Sequence, residues 1–207
     1  MNILVIAPHP DDEVVGCGGA LCLHAQHGDR ITVIYLTSGE LGLKKLPREK
    51  AWEIREAEAR DSAKILGLSD LFFLRQPDWM IGDHIPAMAE AIVPILKAEV
   101  PGLIYLPHQS DWHPDHQAAC PTVREALKLG DISVPELRAY EVWTPLGEFD
   151  EVVDISPVMS QKLRALRAHR SQLDEFQYLR AISGLNQYRG VLAARVRYAE
   201  VFKLLEV

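Results

Sequence analysis

Four short, almost wholly apolar runs recur along this chain, each followed at once by a polar loop and then by a helical stretch. That alternation constrains the fold more than any other feature. The runs are Ile3-Leu4-Val5-Ile6-Ala7, Ile31-Thr32-Val33-Ile34-Tyr35-Leu36, Leu71-Phe72-Phe73-Leu74 and Leu103-Ile104-Tyr105-Leu106. Runs of this length and continuity read as strands, the first of them a buried strand of a parallel sheet. The segments between them read as helices: Asp12 to about His27, a long one from near Pro47 to Gly67, and one from His84 to Glu99. Leu137 to Trp143 and Val152 to Ile155 read as later strands, and Ser156-Pro157 opens a helix that continues to His169. Phe176 to Arg197, followed by Tyr198 to Leu205, has no decisive period and suits either a pocket cover or a subunit contact. The expectation is an α/β fold with a mostly parallel sheet, and one domain over residues 1–207.

In such a sheet, ligands sit beyond the carboxyl ends of the strands. The first run ends in Ala7-Pro8-His9-Pro10-Asp11-Asp12-Glu13, one imidazole and three carboxylates together. Helix capping by Asp11 or Asp12 is expected here, but a cap needs one acid and does not explain His9. A divalent cation explains both, because it offsets carboxylate repulsion that would otherwise raise one pKa. The fourth run ends in Pro107-His108-Gln109-Ser110-Asp111-Trp112-His113-Pro114-Asp115-His116, so four of the chain's eight histidines follow just two strands. His113 and His116 present their rings on one side of a helix start at Pro114, and Asp115 is placed to orient one ring. The other two runs lead into loops bearing Glu40 and Asp78. Arg55 falls on the apolar stripe of the long helix with Trp52, Ala59, Ala63 and Leu66, so it needs an acid or a bound anion; Glu13 and Glu40 are candidates. Gly16, Gly18 and Gly19 permit close approach of a helix, but their spacing is not that of a dinucleotide-binding turn.

The chain's 207 residues allow a sizeable core, and its net charge of −7, with no basic stripe, argues against nucleic acid or an anionic membrane as main partner. No apolar segment approaches a membrane span, and the start runs directly into a strand, so a cytoplasmic place is expected. Cys17, Cys22 and Cys120 lack metal-ligand spacing and read as buried thiols, although Cys17 stands near the first motif.

Ala7 to Glu13 and His113-Pro114-Asp115-His116 resemble the two signature motifs of the LmbE-like, or PIG-L, family of zinc-dependent de-N-acetylases. Leu36 to Glu40, Arg55-Glu56-Ala57-Glu58 leading to Leu66-Gly67, and Lys162 through His169-Arg170-Ser171-Gln172 extend the resemblance over nearly the whole chain. It implies a Rossmann-like, three-layer α/β/α fold and removal of acetyl groups from N-acetylglucosamine-type sugars, including sugar-thiol precursors. It also implies zinc ligands His9, Asp12 and His116, with Asp11 as general base. His113 would stand at the oxyanion or leaving amine and be held by Asp115. Arg55, Glu40 and Asp78 are the expected substrate contacts. Trp112 departs from the Arg or Gly that many relatives carry there, which puts the acceptor rim in doubt. Ferrous iron suits the same donor set as zinc.

Two other functions stay open at this level: an amidase of a sugar-thiol conjugate, with a larger acceptor groove, and a non-catalytic metal- or nucleotide-binding module. A binding module has no need of a base beside a full ligand set, which disfavours it. Homo-oligomerisation is also open, since no heptad or other interface signature is legible.

Overall fold

The computed structural model describes residues 1–133, 135–173 and 177–206. In its first part β1 (Asn2–Ala7), α1 (Asp12–Gln26), β2 (Arg30–Thr37), α2 (Arg48–Leu66), β3 (Asp70–Gln76), α3 (Ile85–Glu99), β4 (Leu103–Pro107) and α4 (Pro114–Gly130) alternate as the apolar runs predict. There follow β5 (Glu136–Tyr140), β6 (Glu151–Asp154), α5 (Met159–Leu166), α6 (Arg170–Leu173), α7 (Tyr178–Arg189) and β7 (Ala199–Leu204). The seven strands form one sheet in the order β3-β2-β1-β4-β5-β7-β6. The pairings from β3 to β5 are parallel, and β7 runs antiparallel to both β5 and β6.

Successive side chains of a strand face opposite layers, so β1 serves two cores. Leu4 and Ile6 pack with Met88 and Ile92 of α3 and Val123 of α4. Ile3, Val5 and Ala7 pack with Cys17 and Leu21 of α1 and Ala59 of α2. Strands β1, β2 and β4 are thus buried on both faces, which is why they carry no polar alternation, whereas β3 at the sheet edge is only partly buried and leaves Phe72 exposed. The close fit of α1 depends on glycine: a Cβ at Gly16 would lie 2.1 Å from the Tyr140 ring, and one at Gly19 would lie 2.5 Å from Ile155.

The strand order also brings the two motifs together. From β1 the chain moves outward to β2 and β3, then returns to the other side of β1 with β4. The crevice at that reversal is the usual ligand site of open α/β sheets, and the two histidine motifs are the loops leaving β1 and β4.

Two elements differ from expectation. The helix expected from Ser156-Pro157 starts at Met159, because Ser156 Oγ is occupied in a two-way bond with the Tyr198 backbone. His169 consequently lies beyond the helix end. The undecided C-terminal stretch supplies β7, inserted between β5 and β6; Phe176 and Val207 lie outside the described residues.

β7 is fastened by a buried ion pair. Lys162 Nζ donates to Glu200 Oε1 at 2.7 Å, to Asn186 Oδ1 at 2.9 Å and to the Val15 carbonyl at 2.8 Å. Glu200 also accepts the Gly19 and Ala20 amides at 2.8 Å each. Lys162→Met should cost about 3–5 kcal/mol, because it leaves a carboxylate buried without its cation. Urea unfolding measures this, and a loss below about 1 kcal/mol would show the pair to be dispensable.

Candidate active site

The loops after β1 and β4 meet in a cavity of about 510 Å³ whose lining includes His9, Asp11, Asp12, Asp78 and His113. At its edge, three donor atoms converge. Asp12 Oδ2 lies 3.2 Å from His9 Nδ1 and 3.2 Å from His116 Nε2, and those two nitrogens are 3.3 Å apart. Ligands at ~2.0–2.2 Å from a tetrahedral ion stand roughly 3.3–3.6 Å from one another. The two imidazoles, the carboxylate and their spacing thus fit a zinc-type ion. Burial is the largest single influence and opposes charge on His9 and on His116, yet the carboxylates around them together outweigh it, Asp12, Asp115 and Asp78 at His9 and Asp12 and Asp111 at His116: His9 is raised well above the usual histidine range and His116 to about 9. Burial would likewise raise Asp12, but His116 and His9 hold it well below the usual carboxylate range. The pocket therefore favours positive charge at this point.

The far edge of the His9 ring faces more carboxylates. Its Nε2 lies 3.0 Å from Asp78 Oδ1 and 3.3 Å from Asp115 Oδ2. His9-Asp78-Asp115 and His9-His113-His116 are further groupings with ligand atoms within 4.8 Å of one another. Both carboxylates on Nε2 already accept backbone hydrogens: Asp115 from Trp79 and Ile81, Asp78 from Leu41.

Asp11 is buried beside these donors at φ 126°, a strained conformation for a non-glycine residue. Its side chain makes no helix-capping bond, so the expected cap is not formed. Instead Oδ1 lies 3.3 Å from Arg55 Nη2. Burial pushes the Asp11 carboxyl up to about 7, against the opposing pull of Arg55. The two terminal nitrogens of Arg55 find partners as its helix position requires, but in Asp11 and the carbonyls of Pro10 (2.6 Å) and Gly39 (2.8 Å), not in Glu13 or Glu40, while the buried Nε has none. His113 Nδ1 accepts the Asp115 amide, which leaves its proton on Nε2. Burial first, then His9 and His116, lower His113 to about 4, so it is a neutral donor and not a cation.

Other site residues play different parts from those expected. The Asp115 carboxylate orients His9, not His113; the start of α4 turns its side chain toward the β3–α3 loop, whose amides it accepts. Glu40 is not among the cavity's lining residues, because its carboxylate accepts from Trp52 Nε1 and the Asp78 amide. Asp78 does line the cavity, but its oxygens are on His9 and Leu41. His108 ties its loop to the Thr144 carbonyl. His169 is fully buried outside the lining, with burial lowering it to about 3. Cys17, Cys22 and Cys120 are free and buried, and Cys17 Sγ donates to the Glu13 carbonyl. Asp111 was missed by sequence reasoning. Fully buried, it accepts the amides of His113, Trp143 and Thr144, and a lone acid between histidines was its only signal.

Residues 4–127 match the family model for PIG-L, the GlcNAc-PI de-N-acetylases. The chain belongs to this family. It is an enzyme of the deacetylase class, the class to which curated relatives at 30–32% identity belong. A probable N-acetyl-α-D-glucosaminyl L-malate deacetylase 2 of Bacillus cereus is 31% identical, covering 84% of each chain. The diacetylchitobiose deacetylase of Thermococcus kodakarensis is 30% identical over 96% of this chain and 81% of its own. Among solved structures, a conserved protein from Thermus thermophilus superposes with a TM-score of 0.86 at 31% identity, covering 99% of this chain and 96% of that one. A 4-oxalmesaconate hydratase of Pseudomonas putida is 28% identical over 94% of this chain and 81% of its own, so the family's fold also carries a hydratase. No helix among the described residues is long and apolar enough to cross a membrane.

Proposed function

We propose that residues 1–207 form one domain that removes the N-acetyl group from an N-acetylglucosamine-type sugar, with zinc held by His9, Asp12 and His116. The observation that carries this is the convergence of His9 Nδ1, Asp12 Oδ2 and His116 Nε2, all within 3.3 Å of one another, at the edge of a cavity that Asp11 also lines. The Nδ1 side of His9 is preferred to the Nε2 side. The second imidazole, His116, stands on that side, and carboxylates on the free nitrogen of a ligating imidazole, here Asp78 and Asp115, fix its tautomer and orientation. When bound, zinc supplies Lewis acidity, polarising an amide carbonyl and making water a nucleophile near neutral pH; ferrous iron suits the same donors.

The chain's own residues supply the rest. Asp11 takes the proton of the attacking water on its carboxylate and returns it to the departing nitrogen, with Arg55 beside it fixing the carboxylate's position. Neutral His113 donates from Nε2 to the carbonyl oxygen as negative charge develops there. The three buried thiols suit a reducing, cytoplasmic setting.

Acetate release from N-acetylglucosamine derivatives tests the proposal. Activity should vanish on chelation and return with zinc. Metal-replete protein that releases no acetate would overturn the hydrolase reading, and hydration of an unsaturated acid, the activity named for the Pseudomonas relative, would be assayed next.

A further inference from the structure

Glu13 is fully buried, and the chemistry above leaves it without a task. It stands in the first turn of α1, one residue after the proposed ligand Asp12. One step along a helix turns a side chain by ~100°, and Glu13 is accordingly off the cavity lining and directed at β2. There Tyr35, also fully buried, donates its hydroxyl to Glu13 Oε1 at 2.8 Å. The other oxygen, Oε2, folds back along the chain and accepts the Asp11 amide at 3.3 Å. An acid at a helix start favours the positive end of the dipole, but an exposed one does so without the cost of burial. The two hydrogen bonds show what the burial serves.

Asp11 is the residue of the motif whose backbone most needs holding. Its φ of 126° is one that a non-glycine residue keeps only when its surroundings impose it. Its carbonyl accepts the Val15 amide at 2.9 Å, and the preceding carbonyl, of Pro10, accepts from Arg55 Nη2 at 2.6 Å. Thr37 holds the start of the loop, with its amide and its hydroxyl on the Pro8 carbonyl at 3.0 and 2.9 Å. The bond from the Asp11 amide to Glu13 closes this frame at the strained residue itself. Rotation about the N–Cα bond turns amide and side chain relative to one another. Fixing the amide therefore fixes the direction in which the carboxylate leaves the chain, toward Arg55 Nη2 at 3.3 Å.

We infer that Glu13 is a positioning residue for the reaction: clamped by Tyr35, it holds the amide of Asp11 and so aims the general base. This rests on the deacetylase reading. Glu13 does not line the cavity, and it acts through Asp11 alone.

The test begins with Glu13→Met, which keeps the length of the side chain and removes both acceptors. Loaded with zinc, this variant should lose about 10–100-fold in kcat for acetate release from N-acetylglucosamine derivatives, the scale of a reacting group misplaced by about 1 Å. Zinc content and KM should stay within about twofold of the parent, because neither ligands nor substrate contacts change. Glu13→Gln can set its oxygen on the Asp11 amide and its nitrogen on the Tyr35 hydroxyl oxygen, so it should recover most of the loss. A crystal structure of Glu13→Met reads position without catalysis: Asp11 should leave φ 126° and its carboxylate should part from Arg55. Parental kcat in metal-replete Glu13→Met, or an Asp11 unmoved in it, would overturn the assignment. So would a Glu13→Gln variant as impaired as Glu13→Met, since charge at the helix start, not the hydrogen bond, would then be the requirement. If Glu13→Met does not fold, Tyr35→Phe takes its place. A loss of about two- to tenfold, the equivalent of one hydrogen bond, upholds the clamp, and parental kcat overturns it. A parent that releases no acetate, together with a displaced Asp11 in Glu13→Met, would uphold the positioning and sink the deacetylase reading instead.

Discussion

Asp11→Asn should retain stoichiometric zinc and lose about 10²–10⁴-fold in kcat, the range supplied by a positioned general base. The proposed ligand atoms belong to His9, Asp12 and His116, and none of them is altered. Asparagine preserves the side chain's shape and an oxygen for Arg55 Nη2, so the buried guanidinium keeps an acceptor beside its two carbonyls. What is lost is basicity: burial brings the Asp11 carboxyl to about 7, where it can take and return a proton near neutral pH, and an amide cannot. The loss should fall on kcat with little change in KM, because the proton moves only in the transition state. Steady-state acetate release and metal content, measured on one preparation, decide it. A metal-replete variant nearly as active as the parent would show that another group is the base.

His9→Ala should abolish both metal and activity. The ring is the junction of the site: Nδ1 faces Asp12 and His116, and Nε2 faces Asp78 and Asp115. Its removal deletes one of three proposed ligands and leaves acids facing one another without an intervening cation. His116→Ala should also lose stoichiometric metal. Asp78→Asn should keep it at roughly 10–100-fold weaker affinity, as expected for a group that orients a ligand without touching the ion. The opposite pattern, metal lost in Asp78→Asn and kept in His116→Ala, would place the ion on the Nε2 side. Zinc stoichiometry and competition with a chelator distinguish the two without reference to catalysis.

Local sequence carried most of what is linear. The run Ile3 to Ala7 could only be a strand covered on both faces, and the structure buries each of those residues. Pro47 and Gly67 bound α2 as their backbone preferences require, with Pro47 at its start and Gly67 at φ 83° closing it. The two histidine motifs were legible because ligand-bearing loops concentrate residue types that have no other use at that density. Arg55 was legible as a buried cation because its position on an apolar stripe is a matter of helical period.

Tertiary structure decided which groups meet. The family resemblance paired Asp115 with His113, yet the turn entering α4 aims its carboxylate across the site at His9. Glu13 and Glu40 were the candidates for Arg55, and only the packing of α2 against the loop after β1 chose Asp11 instead. Trp79, Trp112, Trp143 and Tyr178 form a chain of neighbouring rings, whose proximity follows from the order β3-β2-β1-β4-β5-β7-β6 and from amides bonded to Asp111 and Asp115. The placement of β7 between β5 and β6 likewise joins distant segments, with the Lys162–Glu200 pair tying it to α5 across the fold. Hydrophobic period and turn chemistry act over a few residues and so can be read along the chain. The direction of a side chain and the partner of a buried charge depend on distances set by the whole sheet, which no short stretch contains.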